Sequence, residues 1–322
     1  MAGWTTSDIP SQVGRTVLVT GTGGIGLHVS LALARAGATV IVAGRNAAKG
    51  AAAVEQISQV SPRARVRFGA VDLASLDSIE TFADTVLRSH GSLDLLVNNA
   101  AVMTPPQRKE TADGFELQLG TNHLGHFALT ARLLPLLREG RHARVVSLSS
   151  IAARSGAIDF DDLQSHRRYV PMAAYSQSKL ACLLFAFELQ RRSVREGWGI
   201  QSLAAHPGIS RTDLLPNGAG PGSPQALARR YLWFLFQPPE RGALPPLYAA
   251  TAATAQAGGY YGPDRLSETR GHPVAARVPP QAEDVAVSER LWQESERLTG
   301  IVFGGRTAQG ARKAALDAGS TM

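Results

Sequence analysis

The chain has 322 residues, of which 44% are hydrophobic and 18% charged, a composition typical of a globular protein with a substantial core. No apolar run approaches the roughly 20 residues that span a bilayer, and the polar N-terminus lacks the apolar region of a signal peptide. The single cysteine, Cys182, excludes an intrachain disulfide, and its apolar helical surroundings indicate a small core residue. These features predict a soluble, cytoplasmic protein without a transmembrane segment.

The net charge of +7 raises the question of an anionic partner. The basic residues are dispersed, in doublets such as Arg191-Arg192, and aromatic residues are not interleaved with them. This pattern favours solvated helix or loop faces and predicts no nucleic-acid partner. A positive field would, however, help to attract an anionic cofactor.

From residue 15 onward, short apolar runs alternate with stretches of helical periodicity. Strands are predicted at Thr16–Thr20, Thr39–Ala43, Val66–Val71, Leu93–Val97, Ala143–Leu148 and Ile200–Ala204. Helices are predicted after the first strand up to Gly37, over Ala47–Val60, around 75–89, over Asp113–Leu137 and through Tyr175. Repeated strand–helix units at this spacing predict an α/β fold, a doubly wound parallel sheet with helices on both faces.

No change in composition divides the chain before residue 300, so residues 1–303 are predicted to form a single domain. Residues 304–322 contain few large apolar side chains, which predicts a flexible C-terminal tail. Residues 210–240 hold the apolar run Tyr231–Phe236 between glycine- and proline-rich stretches. Three interpretations stay open for this run: a lid over a lipophilic substrate, a peripheral membrane contact, or an apolar helix packed on the core.

A glycine-rich turn, Gly21-Thr22-Gly23-Gly24-Ile25-Gly26, joins the first strand to the first helix. A Rossmann-type dinucleotide fold needs such a turn there, because backbone N–H groups free of Cβ atoms must approach a pyrophosphate at a helix N-terminus. A simple tight turn is the alternative, and the strand–turn–helix context favours the dinucleotide site.

The second strand ends in Ala43-Gly44-Arg45-Asn46, without the carboxylate that would hold a ribose 2′-hydroxyl. The Arg45 guanidinium suits a 2′-phosphate, which it can bind through charge-assisted hydrogen bonds. The sequence therefore predicts NADP(H) as the preferred cofactor and NAD(H) as the second candidate, unless Arg45 is merely a surface residue at a strand end.

Tyr175 and Lys179 lie four residues apart on a predicted helix, so their side chains share one face. A free tyrosine has a pKa of about 10 and is a poor proton carrier near neutrality. A nearby ammonium favours the phenolate and lowers that pKa, which would make Tyr175 a usable general acid or base. An ordinary surface pair is the alternative when these two residues are considered alone.

Together these motifs resemble the classical short-chain dehydrogenase/reductase family, over roughly residues 13 to 300. The resemblance assigns Ser150 and Asn122 to a catalytic tetrad with Tyr175 and Lys179. Segments such as Asp113–Glu116 and Gly120–Phe127 look like the retinol-dehydrogenase-like branch, whose members act on lipophilic carbonyls and alcohols. The remaining residues that the resemblance places at the cofactor are Asp72 and Leu73 at the adenine, Asn98-Asn99-Ala100-Ala101 along the cofactor, and Pro207-Gly208-Ile209 with Thr212 near the nicotinamide and its phosphates.

Two departures from the family pattern affect the cofactor. The glycine turn is one residue shorter than the usual Gly-x-x-x-Gly-x-Gly, and the missing position often carries a basic side chain, so a 2′-phosphate would depend more on Arg45. Ala101 replaces the usual glycine, which places a methyl group beside the cofactor.

The resemblance implies reversible hydride transfer between the nicotinamide and a lipophilic carbonyl or alcohol. Tyr175 would exchange the proton, Lys179 would lower the tyrosine pKa and hold the ribose hydroxyls, and Ser150 would stabilise charge on the substrate oxygen. Asn122 would anchor a water that links Lys179 to solvent. The family also implies a homodimer or homotetramer.

Two rival functions remain. A non-catalytic NADP(H)-binding redox sensor could use the same fold, although a sensor needs no proton relay. A sugar-nucleotide epimerase or dehydratase also uses Tyr-x-x-x-Lys, but the chain lacks a separate C-terminal substrate domain. His123 and His206 are predicted to be structural, because no metal-ligand spacing surrounds them.

Overall fold

The computed structural model describes residues 3–210 and 237–304. Eight strands form one sheet in the order β3-β2-β1-β4-β5-β6-β7-β8, in which β8 runs antiparallel to β7 and the other neighbours are parallel. The strand bounds are β1 Thr16–Thr20, β2 Thr39–Gly44, β3 Arg65–Ala70, β4 Leu95–Asn98, β5 Arg144–Leu148, β6 Gln201–Ala205, β7 Tyr260–Arg265 and β8 Arg270–Ala275.

The described helices flank this sheet. Their bounds are α1 Gly24–Arg35, α2 Ala47–Val60, α3 Leu76–Ser89, α4 Leu117–Leu119, α5 Gly125–Arg138, α6 Pro171–Arg195, α7 Pro239–Gly242, α8 Leu244–Thr251 and α9 Val285–Thr299. A π-helical segment, Gly120–Leu124, joins α4 to α5, and short 3₁₀ turns lie at Thr6–Asp8, Ile151–Ser155 and Pro280–Ala282. The α/β, doubly wound prediction is confirmed.

Alternating residues of the central strands bury their side chains on opposite faces of the sheet. Val17 and Val19 of β1 pack in the cluster that includes α1 and α8, whereas Leu18 packs in the cluster that includes α5 and α6. This period of two explains why the strands are apolar throughout: both faces are covered by helices. Each fully buried aliphatic side chain contributes about 1.5–3 kcal/mol to stability.

The six strands predicted from the sequence are all present, with ends within two residues of the prediction. The predicted helix from Asp113 to Leu137 is wrong at its start, because helical structure begins only at Leu117. The Glu116 carboxylate ends the preceding segment by accepting the N–H groups of residues 118 and 119 at 3.0 and 2.7 Å. The hairpin of β7 and β8 was not predicted.

Two sequence-based predictions fall mostly outside the described residues. The candidate lid at 210–240 is described only at residue 210 and from 237 onward, and the candidate tail at 304–322 only at residue 304. Thr212 also lies outside the described ranges. Among residues 3–210 and 237–304, no helix is long and apolar enough to span a membrane.

Candidate active site

Helix α6 carries Tyr175 and Lys179 and begins at Pro171, where proline suits the first turn because its missing N–H would have no helical partner. The two side chains share a face, as their spacing predicts, and both are buried, at 5% and 4% exposure. The Lys179 Nζ donates to the Leu148 carbonyl at 3.0 Å and lies 6.0 Å from the centroid of the Tyr175 ring. The helix therefore places both groups at the carboxyl end of β5.

Ser150 follows β5 and contacts the catalytic candidate Tyr175. Its Oγ accepts a backbone N–H of the 3₁₀ turn Ile151–Ser155 at 3.2 Å, and its hydroxyl also interacts with the Tyr175 phenol, whose pKa it lowers. The preceding Ser149 Oγ donates to the Lys179 carbonyl at 2.8 Å. Both serines thus tie the end of β5 to the helix that carries the tyrosine and lysine.

The pKa values of Tyr175 and Lys179 are shifted by burial. Burial raises the pKa of Tyr175 to about 12, and the neighbouring Ser150 hydroxyl offsets only part of that rise. Burial also lowers the pKa of Lys179. The pKa of Tyr175 is thus raised where the sequence predicted that Lys179 would lower it, because the phenol is removed from water. The phenol therefore holds its proton at neutral pH.

Asn122 is fully engaged with protein groups. Its Oδ1 accepts the Val102 N–H at 2.8 Å, and its Nδ2 donates to the Val102 carbonyl at 3.0 Å and to Ser178 Oγ at 2.9 Å. Its backbone carbonyl accepts from His126 Nδ1 at 2.9 Å and from Cys182 Sγ at 3.1 Å. The amide therefore fixes the segment after β4, whereas its anchoring of a water stays a prediction. Cys182 is a buried core residue, as predicted.

A chain of buried hydrogen bonds leads from Asn122 to the end of β1. Because the Asn122 carbonyl can only accept, His126 donates from Nδ1, and its Nε2 then accepts the Thr20 hydroxyl at 2.9 Å. Thr20 Oγ1 in turn accepts the N–H groups of Asn99 and Ala100 at 2.9 and 3.0 Å. Burial lowers the pKa of His126 to about 4, so the ring is neutral and this tautomer is retained.

The glycine turn connects β1 to α1, which begins at Gly24 with Gly23 as its N-cap. A Cβ at Gly26 would lie 2.5 Å from the Gly21 carbonyl oxygen and 2.6 Å from Asn99 Nδ2, so this position has no room for a side chain. At Gly23, by contrast, no atom of the described residues lies within 4 Å of an added Cβ. This space at a helix N-terminus fits an anionic pyrophosphate.

Basic side chains lie after the second strand. Arg45 is exposed, and Asn46 caps α2 by accepting the Lys49 N–H at 2.9 Å. Both Arg45 and Lys49 line the same cleft as the glycine turn. Lys49 was not predicted as a site residue, although its position one turn beyond a helix cap was a usable signal.

One cleft of about 790 Å³ connects these groups, within the roughly 300–1,000 Å³ usual for small-molecule and cofactor sites. The predicted site residues that line it are Gly21, Gly23, Gly24, Ile25, Arg45, Asn99, Ala100, Ala101, Tyr175, Lys179 and Pro207. The predicted site residues within the described ranges that do not line it are Gly26, Asn46, Asp72, Leu73, Asn98, Asn122, Ser150, Gly208 and Ile209.

The Asp72 carboxylate closes the turn that leads into α3, because its Oδ1 accepts the Ala74 N–H at 3.0 Å. The Asp72 N–H donates to Ser78 Oγ at 2.9 Å. The contacts of Asp72 and Leu73 with an adenine therefore stay a prediction.

Pro207 follows β6, which lies on the opposite side of β1 from β3 in the strand order. It lines the cleft together with Tyr175.

The order of these elements and the placement of the tyrosine–lysine helix agree with a family profile described as short chain dehydrogenase, which matches residues 15–219. This chain belongs to the short-chain dehydrogenase family. As a short-chain dehydrogenase it is an oxidoreductase acting on CH–OH groups, and the family uses NAD or NADP.

Relatives of this short-chain dehydrogenase lie in the retinol-dehydrogenase-like branch. Mouse retinol dehydrogenase 13 is 42% identical over 300 residues, covering 90% of this chain and 85% of the relative. Mouse polyprenol dehydrogenase is 42% identical over 299 residues, covering 91% and 86% of the two chains. The branch predicted from the sequence is therefore confirmed.

Solved structures share the fold. A protein from Mycobacterium paratuberculosis is 39% identical, with a TM-score of 0.78 over 94% of this chain and 100% of that chain. The NADP complex of Pseudomonas aeruginosa RhlG is 26% identical, with a TM-score of 0.62 over 78% and 94% of the two chains.

The two histidines predicted to be structural both have protein partners in this short-chain dehydrogenase. His123 Nε2 lies 2.8 Å from Ser295 Oγ, and His206 Nε2 lies 2.8 Å from a carboxylate oxygen of Glu268. Within residues 3–210 and 237–304, no group of three or more metal-ligating side chains is arranged to hold a metal ion.

Proposed function

We propose that the protein is an NADP(H)-dependent oxidoreductase that transfers a hydride between the nicotinamide and a lipophilic carbonyl or alcohol, with Tyr175 as general acid and base. The observation that carries this proposal is the common cleft, which joins a glycine turn and two basic side chains to the buried pair Tyr175 and Lys179.

Arg45 and Lys49 support a preference for NADP(H). Both side chains line the cleft beyond the glycine turn, and no carboxylate lies between Ala43 and Lys49 that would repel a 2′-phosphate. The relative RhlG has been solved as a complex with NADP. Gly23 supports the pyrophosphate position, because its open side adjoins the positive N-terminus of α1.

The proton chemistry would rest on the tetrad candidates. When bound, the nicotinamide supplies or accepts the hydride. Tyr175, whose pKa is raised to about 12, holds its proton at neutral pH and is suited to donate it to an oxygen that gains negative charge. The Ser150 hydroxyl interacts with that phenol and would stabilise the same oxygen. The ammonium of Lys179 would hold the ribose hydroxyls.

The lipophilic substrate class rests on the lining and the relatives. Apolar side chains line the cleft next to the cofactor segment, namely Val102, Met103, Pro105, Leu117 and Leu148. The relatives' names, retinol dehydrogenase and polyprenol dehydrogenase, refer to long apolar alcohols. A homodimer or homotetramer and a cytoplasmic location stay predictions.

The test combines cofactor titration with turnover of all-trans-retinal and a panel of lipophilic ketones and aldehydes. Wild type should bind NADPH more tightly than NADH and reduce at least one member of the panel. Tyr175→Phe should lower kcat by about 10³-fold, because the proton donor is lost, while the Kd for NADPH changes by less than about threefold. Tyr248→Phe is the matched control, since the Tyr248 hydroxyl bonds to Thr254 outside the cleft.

The outcomes separate the rival functions. Tight NADPH binding by wild type without turnover of any carbonyl or alcohol in the panel would favour the redox sensor. Equal affinity for NADPH and NADH would contradict the cofactor preference. An unchanged kcat in Tyr175→Phe would exclude this tyrosine as the proton donor.

A further inference from the structure

A partly buried ionic cluster lies where the β7–β8 hairpin meets the end of β6. Glu268 Oε2 accepts from His206 Nε2 at 2.8 Å and from Arg154 Nη2 at 2.6 Å, while its Oε1 accepts the Arg277 N–H at 2.9 Å. The His206 side chain is fully buried, and the Glu268 side chain is 19% exposed. None of these groups lines the cleft or takes part in the proposed chemistry.

The carboxylate determines which nitrogen of His206 carries the proton. Because an ionised Glu268 can only accept, His206 donates to it from Nε2, and Nδ1 is left as an acceptor. The Gly208 N–H donates to that Nδ1 at 3.3 Å. Glu268 therefore fixes the tautomer that the backbone of residue 208 requires.

The loop that presents Glu268 adopts an unusual backbone conformation. Leu266, Ser267 and Glu268 have φ values of +48°, +53° and +67°, in the left-handed region that residues with a Cβ avoid. Three such residues in succession persist only where surrounding contacts hold them. The loop also places the Thr269 carbonyl 2.8 Å from the Ile209 N–H.

The same loop closes tightly over Gly208. This glycine has a φ of +64°, and an added Cβ would collide with the Thr269 carbonyl oxygen. The segment after β6 is thus held by an imidazole on one side and by the hairpin loop on the other. Pro207, which precedes Gly208, lines the cleft beside Tyr175.

Arg154 connects the carboxylate to the turn that follows Ser150. It belongs to the 3₁₀ turn Ile151–Ser155 that Ser150 caps, and its Nη1 also donates to the Ser267 carbonyl at 3.3 Å. Glu268 therefore bonds at once to the turn that follows Ser150 and to the histidine that precedes Pro207.

We propose that Glu268 is a positioning residue for hydride transfer: through His206 and Arg154 it holds Pro207–Ile209 and the Ser150 turn in register on either side of Tyr175. This inference rests on the proposed function for its kinetic consequence. We expect its effect on binding to fall on the nicotinamide half of the cofactor, because the cluster's contacts reach Gly208 and Ile209, next to Pro207 beside Tyr175, and, within the described ranges, none of its residues bonds to Arg45 or Lys49.

The experiment compares Glu268→Gln with wild type in the binding of NADPH and of 2′,5′-ADP, which lacks the nicotinamide half. The amide keeps the size of the side chain but removes its charge and one acceptor. We expect the Kd for NADPH to rise about threefold to tenfold, the Kd for 2′,5′-ADP to stay within about twofold, and kcat to fall about tenfold or more.

A double-variant cycle tests the route through the histidine. If Glu268 acts through His206, the variant carrying both Glu268→Gln and His206→Gln should lose little more kcat than the worse single variant. Glu294→Gln is the matched control, because it removes the Arg297–Glu294 contact at 2.8 Å on α9. It should leave both ligand affinities and kcat unchanged.

Several results would overturn the proposal. These are an unchanged NADPH affinity and kcat in Glu268→Gln, an equal loss of affinity for NADPH and 2′,5′-ADP, or additive effects in the cycle. If Glu268→Gln does not fold, Arg154→Gln tests the same carboxylate, with the same split between NADPH and 2′,5′-ADP expected at smaller size. A wild type that binds NADPH but turns over no substrate contradicts the proposed function alone, because the binding comparison still tests the cluster.

Discussion

The two ends of the cleft are built in different ways. The end next to α1 depends on backbone shape, with a glycine turn in which Gly26 has no room for a Cβ, and on the exposed side chains of Arg45 and Lys49. The end next to α6 depends on buried side chains, among them Tyr175, Lys179 and Asn122, and specific hydrogen bonds hold Lys179 and Asn122 in place. Under the proposed function, affinity for an anionic cofactor can thus be tuned by surface substitutions, whereas substitutions at the end next to α6 also affect the core.

The sharpest test of the backbone-built end compares Gly26→Ala with Gly23→Ala. The first change forces a Cβ to within 2.5 Å of the Gly21 carbonyl, so we expect the free energy of unfolding to fall by about 3 kcal/mol. The second meets no described atom within 4 Å and should leave the free energy of unfolding within about 0.5 kcal/mol of wild type. Gly23→Ala should instead raise the Kd for NADPH. Denaturant unfolding and cofactor titration measure the two effects, and equal destabilisation by both changes would contradict the contrast.

The free energy of unfolding should decrease at acidic pH because of the buried residue His123. Burial lowers the pKa of His123 from 6.5 in the unfolded chain to about 3. His123 donates from Nε2 to Ser295 Oγ, since that hydroxyl donates to Leu291, and its buried Nδ1 has no partner among the described residues. A proton added to Nδ1 would therefore be buried without a hydrogen-bond acceptor among the described residues.

Because the folded pKa is the lower one, the stability that neutral His123 contributes is fully present above about pH 6.5 and is lost progressively toward pH 3. The free energy of unfolding should fall by about 1.4 kcal/mol per pH unit for this residue between roughly pH 6 and 4. His123→Leu should remove that share of the slope, whereas His166→Gln, at an exposed position, should not. Identical slopes in wild type and His123→Leu would refute the assignment.

The smallest expected effect concerns the exposed basic pair. Arg45→Ala should raise the Kd for NADPH about tenfold and leave the Kd for NADH within about twofold, because only NADPH carries the 2′-phosphate. Lys49→Ala should act in the same direction. Arg63→Ala, an exposed arginine just beyond α2, is the control. An equal rise in the Kd for NADPH and for NADH would mean that Arg45 and Lys49 attract both cofactors through their positive charge and do not recognise the 2′-phosphate.

The sequence predicted the parts of the molecule that depend on local pattern. The six parallel strands, the glycine turn and the Tyr175–Lys179 face follow from spacing within a few residues. The β7–β8 hairpin was missed because Gly262 and Pro263 lie inside β7 and Pro273 inside β8, and both residue types are depleted in strands.

Other features could not be predicted because they join residues distant in the chain or depend on burial. His206 and Glu268 are 62 residues apart, and no local pattern couples them. The direction of the Tyr175 pKa shift was wrong for a similar reason. Sequence spacing identified the nearby Lys179 but not the extent to which the fold removes the phenol from water, which is the larger influence.

The His126 ring lies between Thr20, at the end of β1, and Asn122, in the π-helical segment before α5, and it hydrogen-bonds to both. The size of the imidazole ring therefore sets the distance between the end of β1 and the π-helical segment. In the proposed function a dinucleotide would reach from one end of the cleft to the other, so the His126 ring would help to set the position of the nicotinamide relative to Tyr175. A shorter or longer side chain at residue 126 would require compensating changes at both Thr20 and Asn122. We therefore expect substitutions at the two ends of the cleft to be correlated in evolution.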